Sequence, residues 1–452
     1  MNRLIVHLLY NLLLPVLLVA GFPRFVIKGL QRGGLARNFW QRLGFFRPET
    51  RDRLDRDDNI WIHAVSVGEV LVALKIVDEW LRQHPGTGVV LSTTTTTGFA
   101  LAEEKTADQA GVTVIHNPVD LPWVTAGVLR LVRPTRLILV EAEVWPNLVR
   151  QARARGVPVV LVNARLSDRS ERRFRSFGSV TRVIFSQLDR VCVPYQADVA
   201  RWAGLGVPAG RIAVTGSVKF DETLQDRPAE QIEALRNWLE SAGMAPGSRI
   251  LLAGSTHAGE EALIGRVWTE LRRSFPDLVY VVVPRHAERA AAVVADLRQI
   301  GLRAVCKVPL SQSDGGPAGV NADASPPVYV ANTTGELRAW FYLADAVVIG
   351  KSLLGHGGQN PVEPIVAGKP VVVGPNMENF RPIVADLLAC GGLVQIDGPE
   401  KLRGALQALL ADPAAAADLG RRGQEALDRH RGATRRTVEW IAHPIEAPAD
   451  RE

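Results

Sequence analysis

The stretch His63-Ala64-Val65-Ser66-Val67-Gly68-Glu69 puts an acid just past an apolar run. Gly68 permits a tight turn from strand to helix, and Glu69 falls in the first turn of that helix. The helix dipole there favours the carboxylate by a few tenths to about one kcal/mol. An ionised Glu facing a cleft is suited to take a proton from a hydroxyl; the position equally suits an ordinary acid at a helix start. Glu141-Ala142-Glu143-Val144-Trp145-Pro146-Asn147 sets two carboxylates at i and i+2 after another apolar run. Such a pair is costly to bury without a cation or hydrogen-bond donor, which marks one of them as a site residue. Asn163-Ala164-Arg165 and Thr215-Gly216-Ser217-Val218-Lys219-Phe220-Asp221 close two further runs. Lys219 suits an anionic substrate, and suits plain solvent as well. Ser92 and Thr93–Thr97, followed by Gly98, fit sugar hydroxyls or phosphate, and local capping nearly as well.

The second half repeats the pattern. Gly254-Ser255-Thr256-His257 with Glu260 and Glu261, Pro284-Arg285-His286-Ala287-Glu288-Arg289, Thr334-Gly335-Glu336-Leu337, Gly350-Lys351-Ser352-Leu353 and Gly357-Gly358-Gln359-Asn360-Pro361-Val362-Glu363-Pro364 each follow or open an element. Amides at such turns hold phosphate, and an acid a few residues into a helix holds ribose hydroxyls. Any one motif is explained by capping; five in succession at the strand ends of one sheet are not. No GxGxxG, GxxxxGK[ST], HExxH or GxSxG is present, and the one DxD, Asp55-Arg56-Asp57, precedes the first strand. A metal site is not expected.

These residues need a scaffold, and the runs between them supply it. Ile60–Val65, Val89–Thr93, Val112–Ile115, Leu137–Val140, Val159–Val162, Arg190–Val193 and Ile212–Val214 alternate with helical segments. A second series follows Asp226–Gly247: Ile250–Ala253, Leu278–Val283, Ala304–Val308, Val328–Val330, Ala346–Ile349, Pro370–Val373 and Leu393–Ile396. Near-continuous apolar strands alternating with helices predict parallel sheets covered on both faces. The expected α/β architecture is two doubly wound domains, 58–222 and 223–442, with ligands in a cleft at the carboxyl ends of the strands. Ser311–Pro327 reads as a surface loop and 443–452 as a frayed tail.

Composition bounds the class. The chain has 452 residues, 47% hydrophobic and 22% charged, with three cysteines far apart. That excludes a disordered chain, a polytopic membrane protein and a disulfide scaffold. The net charge of +6 is concentrated: Arg24, Lys28, Arg32, Arg37, Arg42 and Arg47 lie in 21–48 with no acid between them. This asks for a local partner, not for nucleic acid. Leu4 to Pro23 carries no charge, and about twenty helical residues cross a bilayer. The expectation is an anchor over 1–24, a basic-aromatic membrane-proximal segment over 25–57, and all later residues in the cytoplasm. An amphipathic helix packed on a soluble core is the alternative.

In Ser66–Glu69, Glu141–Asn147, Asn163–Leu166, Gly216–Asp221, Ser255–Glu261, Pro284–Arg289, Gly335–Leu337 and Asn360–Glu363 the chain resembles, over essentially its whole length, the Kdo transferases. These are membrane-anchored glycosyltransferases of the two-domain GT-B fold. The resemblance implies inverting transfer of 3-deoxy-D-manno-oct-2-ulosonic acid (Kdo) from CMP-Kdo to the lipid A precursor, without a cofactor, at the cytoplasmic face of the inner membrane. It implies Glu69 as general base, with Glu141 and Lys219 supporting the transition state. It further implies CMP contacts from Ser255, Thr256, Arg285, His286, Thr334, Gly335, Glu336, Asn360, Pro361, Val362 and Glu363. The chain departs from the family pattern at Asn332-Thr333-Thr334, where DTM is usual, and at Gln359, where His is usual. A GT-B enzyme using a UDP-sugar, and a membrane-tethered nucleotide-binding protein, are the rival readings.

Overall fold

The computed structural model describes residues 3–16, 39–221, 227–310 and 326–444. The chain divides into two compact units, Met1–Glu222 with His430–Glu452, and Thr223–Arg429.

The first unit holds β1 (Asn59–Ala64), β2 (Gly88–Thr93), β3 (Val112–His116), β4 (Pro134–Val140), β5 (Val159–Val162), β6 (Arg190–Val193) and β7 (Ile212–Val214). They form one parallel sheet in the order β3-β2-β1-β4-β5-β6-β7. Alternate residues serve opposite faces. Ile60, Ile62, Ile138 and Val160 pack with Val70, Ala73 and Val77 of the helix Val67–Gln83. Trp61, Leu137, Leu139 and Leu161 pack with the helices Pro122–Val132 and Pro146–Ala154. Burial on both faces is why these strands read as unbroken apolar runs.

The second unit holds β8 (Arg249–Thr256), β9 (Leu278–Pro284), β10 (Ala304–Cys306), β11 (Val328–Val330), β12 (Ala346–Ile349), β13 (Val371–Val373) and β14 (Val394–Gln395). The order is β10-β11-β9-β8-β12-β13-β14, again all parallel. In each sheet the winding direction reverses once, between β1 and β4 and between β8 and β12. A crevice opens outside the carboxyl ends of the strands at such a reversal, and open α/β sheets bind ligands there.

One boundary differs from the sequence reading. The helix Ala433–Ala442 belongs to the first unit, not to the second. Val438 and Ile441 join the core beside β1, Arg136 and Arg190 hydrogen-bond the carbonyls of Ile441 and Trp440, and Asp221 accepts the N–H groups of Gly432 (2.5 Å) and Thr434 (2.8 Å). The expected spanning anchor over 1–24 falls only in part on the described residues and finds no support there. Among the described residues no helix is long and apolar enough to cross a membrane. Residues 3–16 are helical. That helix lies against the first unit through its polar side chains. Tyr10 donates to Asp120 (2.9 Å), Asn11 and Asn147 exchange side-chain hydrogen bonds (3.1 and 2.6 Å), and His7 is buried. Leu4, Leu8, Leu9, Leu12, Leu13 and Val16 point outward, 46–72% exposed. Residues 17–38, with the end of the expected anchor and much of the basic-aromatic segment, lie outside the described residues, as do 311–325 of the expected loop and 445–452.

Candidate active site

In the first unit the sequence motifs gather at the switch point. Ser66 caps the helix Val67–Gln83, and Glu69 folds back over that cap: its Oε1 accepts the Ser66 hydroxyl and its Oε2 the Val65 N–H, both at 2.8 Å. The Ser66-Val67-Gly68-Glu69 spacing is that of a capping box, so the carboxylate is anchored locally and at fixed height above β1. Burial raises its pKa; the Val65 and Ser66 hydrogen bonds oppose this, and the Glu141 charge adds to it.

Glu141 follows β4 with φ +62°, donating its N–H to Val162 O at 3.0 Å. A β-carbon is crowded in this left-handed region, so the conformation is held by the surroundings. It turns the chain so that Glu141 and Glu143 both act electrostatically on Glu69's neighbourhood. Glu143 is pushed up to about 7, first by burial, then by Glu69 and Glu141, against Arg173. Lys219 sits in the short helix Val218–Asp221. Its pKa is lowered, first because its ammonium is partly desolvated and then by Arg165, with Glu141 opposing. Asn163, buried and at φ +49° after β5, accepts the Ser217 hydroxyl at 3.5 Å; its Nδ2 has no hydrogen-bond partner among the described residues. Three carboxylates, two cations and an amide thus share one strand-end rim.

Other parts of these motifs are structural. Asn147 is fully buried; its N–H and amide bond Asp120 (2.9 and 2.5 Å). Asp55 and Asp57 of the DxD pair with Arg133 (2.5 and 3.1 Å).

The second unit assembles its motifs at the other switch point. Ser255, next to last in β8, stands at φ +55° where the strand register shifts, and Lys351 follows β12 at φ +58°. Thr256 is buried with its hydroxyl on Glu261 at 2.8 Å, and Glu261 pairs with Arg289 at 2.9 Å, so the Thr256 side chain serves the fold. Arg285 and His286 are exposed beyond β9. Asn360 donates to Glu363 (2.9 Å) and accepts the Val362 N–H (3.1 Å). Burial raises the Glu363 pKa, opposed by Asn360, Arg338 and Arg285. Pro361 and Val362 are buried beside them. Thr334 and Gly335 are exposed, while Glu336 is held by Lys307 and by the Thr333 hydroxyl.

Two groups here were not named as site residues from sequence. Glu260, fully buried, accepts the N–H groups of His257 (2.9 Å), Lys351 (2.7 Å) and Leu353 (3.2 Å), and so shapes the loop after β12. Gln359 lies 3.2 Å from His257 Nε2 through its amide. No cluster of three or more His, Cys, Asp or Glu among the described residues is arranged to hold a metal ion.

A family model described as 3-deoxy-D-manno-octulosonic-acid transferase (kdotransferase) matches residues 37–222. The chain is 31% identical over 396 residues to the 3-deoxy-D-manno-octulosonic acid transferase of Haemophilus influenzae, covering 86% of this chain and 87% of that one. It is 35% identical over 390 residues to the enzyme of that name from Bordetella pertussis, covering 84% and 86%. Among solved structures, UDP-GlcNAc 2-epimerase from Neisseria meningitidis aligns over 85% of this chain and 99% of that one, with a TM-score of 0.56 at 12% identity. That last likeness is one of fold.

Proposed function

The chain belongs to the 3-deoxy-D-manno-octulosonic-acid (Kdo) transferases, and from that premise we propose that it moves Kdo from CMP-Kdo to a sugar hydroxyl of the lipid A precursor by a single inverting displacement. The observation that carries the residue roles is the gathering of Glu69, Glu141, Glu143 and Lys219 at the β1/β4 switch point.

Glu69 takes the proton of the acceptor hydroxyl as its oxygen bonds to the anomeric carbon of Kdo. The bond from that carbon to the phosphate oxygen breaks, and CMP leaves with the electron pair. A carboxylate whose pKa is raised by burial is better matched to this proton than an exposed one. Glu141 and Lys219 meet the charges of the sugar acid as the transition state forms. In the second unit Ser255, Arg285, His286 and the Thr334–Glu336 turn receive the nucleotide, with Thr256 supporting the Ser255 turn. Asn360 to Glu363 offer the ribose a backbone turn and an acid whose pKa is raised by burial. The acceptor is a lipid, and the outward leucines of residues 3–16 suit contact with the cytoplasmic leaflet of the inner membrane, lying in its interface.

The test is to incubate the protein with CMP-Kdo and a lipid A precursor and follow CMP release and the mass of the lipid. Gain of a Kdo residue with CMP released is expected. Turnover of a UDP-sugar instead, or nucleotide binding without transfer, overturns the reading.

A further inference from the structure

Lys351 stands where a side chain is least welcome. It follows β12 at the second sheet's switch point with φ +58°, in the left-handed region that favours glycine. It is held there on both sides. Its N–H donates to the buried Glu260 carboxylate at 2.7 Å. Before it, Gly350 lies so close to Ser255 that a β-carbon would collide with the Ser255 carbonyl oxygen. The stem of Lys351 then crosses Gly355, where an added β-carbon would stand 2.7 Å from Lys351 Cγ. Its charge is felt at His257, whose pKa is lowered first by burial and then, against Glu260, by Lys351, Arg289 and His286. The His257 and His286 rings meet edge to face at 6.4 Å, and Gln359 holds His257 Nε2 at 3.2 Å. An imidazole, an amide and a lysine therefore share one corner with the Ser255 turn. Backbone strain of this kind persists where the surroundings over-determine it, and it gathers at ligand sites.

We infer that Lys351 is the cation that binds the phosphoryl group of the nucleotide donor, positioned by Glu260 and flanked by His257 and Gln359. This rests on the reading of the second unit as the CMP-binding half. A lysine serves a phosphate as a point charge, so it needs placing near the anion more than it needs a planar fit. The residue discriminates: it strengthens binding of the phosphorylated nucleotide and leaves the nucleoside untouched.

The experiment is titration calorimetry of the full chain with CMP and, separately, with cytidine, for wild type, Lys351→Met, Lys351→Gly and Lys351→Arg. Loss of one charged contact predicts CMP weakened about tenfold or more in the Met and Gly variants. Cytidine affinity stays within about twofold, and Arg keeps CMP within about threefold of wild type by restoring the charge. The Gly variant removes the strain together with the charge, so weak CMP binding there cannot come from a distorted loop. CMP affinity unchanged in Met and Gly overturns the assignment to Lys351 while leaving the donor reading intact. Equal weakening of CMP and cytidine overturns it as well, because the residue then acts through the fold. Wild type that binds neither CMP nor cytidine overturns the donor reading and this inference with it.

Discussion

Replacing Glu143 by Gln should stabilise the protein at alkaline pH and do little at acid pH. Its carboxyl is pushed up to about 7 by burial and by the charges of Glu69 and Glu141. An ordinary unfolded-state Glu titrates near 4.3, so the difference is roughly 2.5 units, or about 3 kcal/mol. A folded pKa raised above its unfolded value means stability that is complete below about pH 4 and falls as pH rises to about 7. Above that window wild type bears the whole cost of a third carboxylate on the rim. Gln, isosteric with the protonated acid, bears none. At roughly 2–4 °C per kcal/mol for a unit of this size, calorimetry at pH 8.5 should show the variant melting about 6–12 °C higher. At pH 5, where wild-type Glu143 is already protonated when folded, the gain should shrink below about a third of that. A gain of equal size at both pH values would show that the effect is packing, not charge, and identical melting at pH 8.5 would refute the crowding of the three carboxylates.

Glu69→Gln keeps much of the capping geometry and removes the base, so turnover should fall by about two decades or more, while calorimetry finds CMP affinity unchanged; near-wild-type turnover would remove the base from Glu69. Glu260→Ala strands the loop N–H groups of His257, Lys351 and Leu353, and urea melts should report a loss of at least about 3 kcal/mol; a milder loss means that water replaces the carboxylate. Leu8→Asp with Leu12→Asp places charges on the exposed face of residues 3–16, and sedimentation with vesicles containing anionic phospholipid should show several-fold weaker binding at unchanged thermal stability. Binding equal to wild type would mean that this face does not touch lipid.

Both sheets were legible in the sequence because their central strands are buried on two faces and their apolar runs are therefore unbroken; β5, β6 and β7 fall where Val159–Val162, Arg190–Val193 and Ile212–Val214 place them. The unit to which the last helix belongs was not. Sequence order puts Ala433–Ala442 after the second series, and what returns it to the first unit is a set of tertiary hydrogen bonds to Arg136, Arg190, Asp221 and Thr215, which leave no periodic trace. The docking of the amino-terminal helix was not legible either, for another reason. Mean hydropathy over 4–23 counts His7, Tyr10 and Asn11 as blemishes in an apolar stretch. At helical spacing, i, i+3 and i+4, they form one face, and that face is the one docked on Asp120 and Asn147. Glu69 was legible as an acid at a helix start, while its return to Val65 and Ser66 was spelled by the Ser66-x-x-Glu69 spacing and needed only the capping rule to be read.

The strained residues tie these points together. Of the non-glycine residues at positive φ, Glu141, Asn163 and Lys351 follow β4, β5 and β12, and Ser255 is next to last in β8; these strands lie at or beside the two switch points. A left-handed turn costs a side-chain-bearing residue about 1 kcal/mol or more, and a glycine at any of the four would be the cheaper choice. Type cannot announce such positions, since Glu, Ser and Lys carry no mark of left-handed backbone; only the topology that brings them to the crevice does. On the proposed roles, a conformation that costs stability at four strand ends, in two separate sheets, is accounted for by the residues it sets beside each switch point: a carboxylate, an amide, a hydroxyl and an ammonium. Glycine at 141 or 351 should therefore leave the fold at least as stable and the activity poorer, the opposite of what a structural role for either side chain would produce.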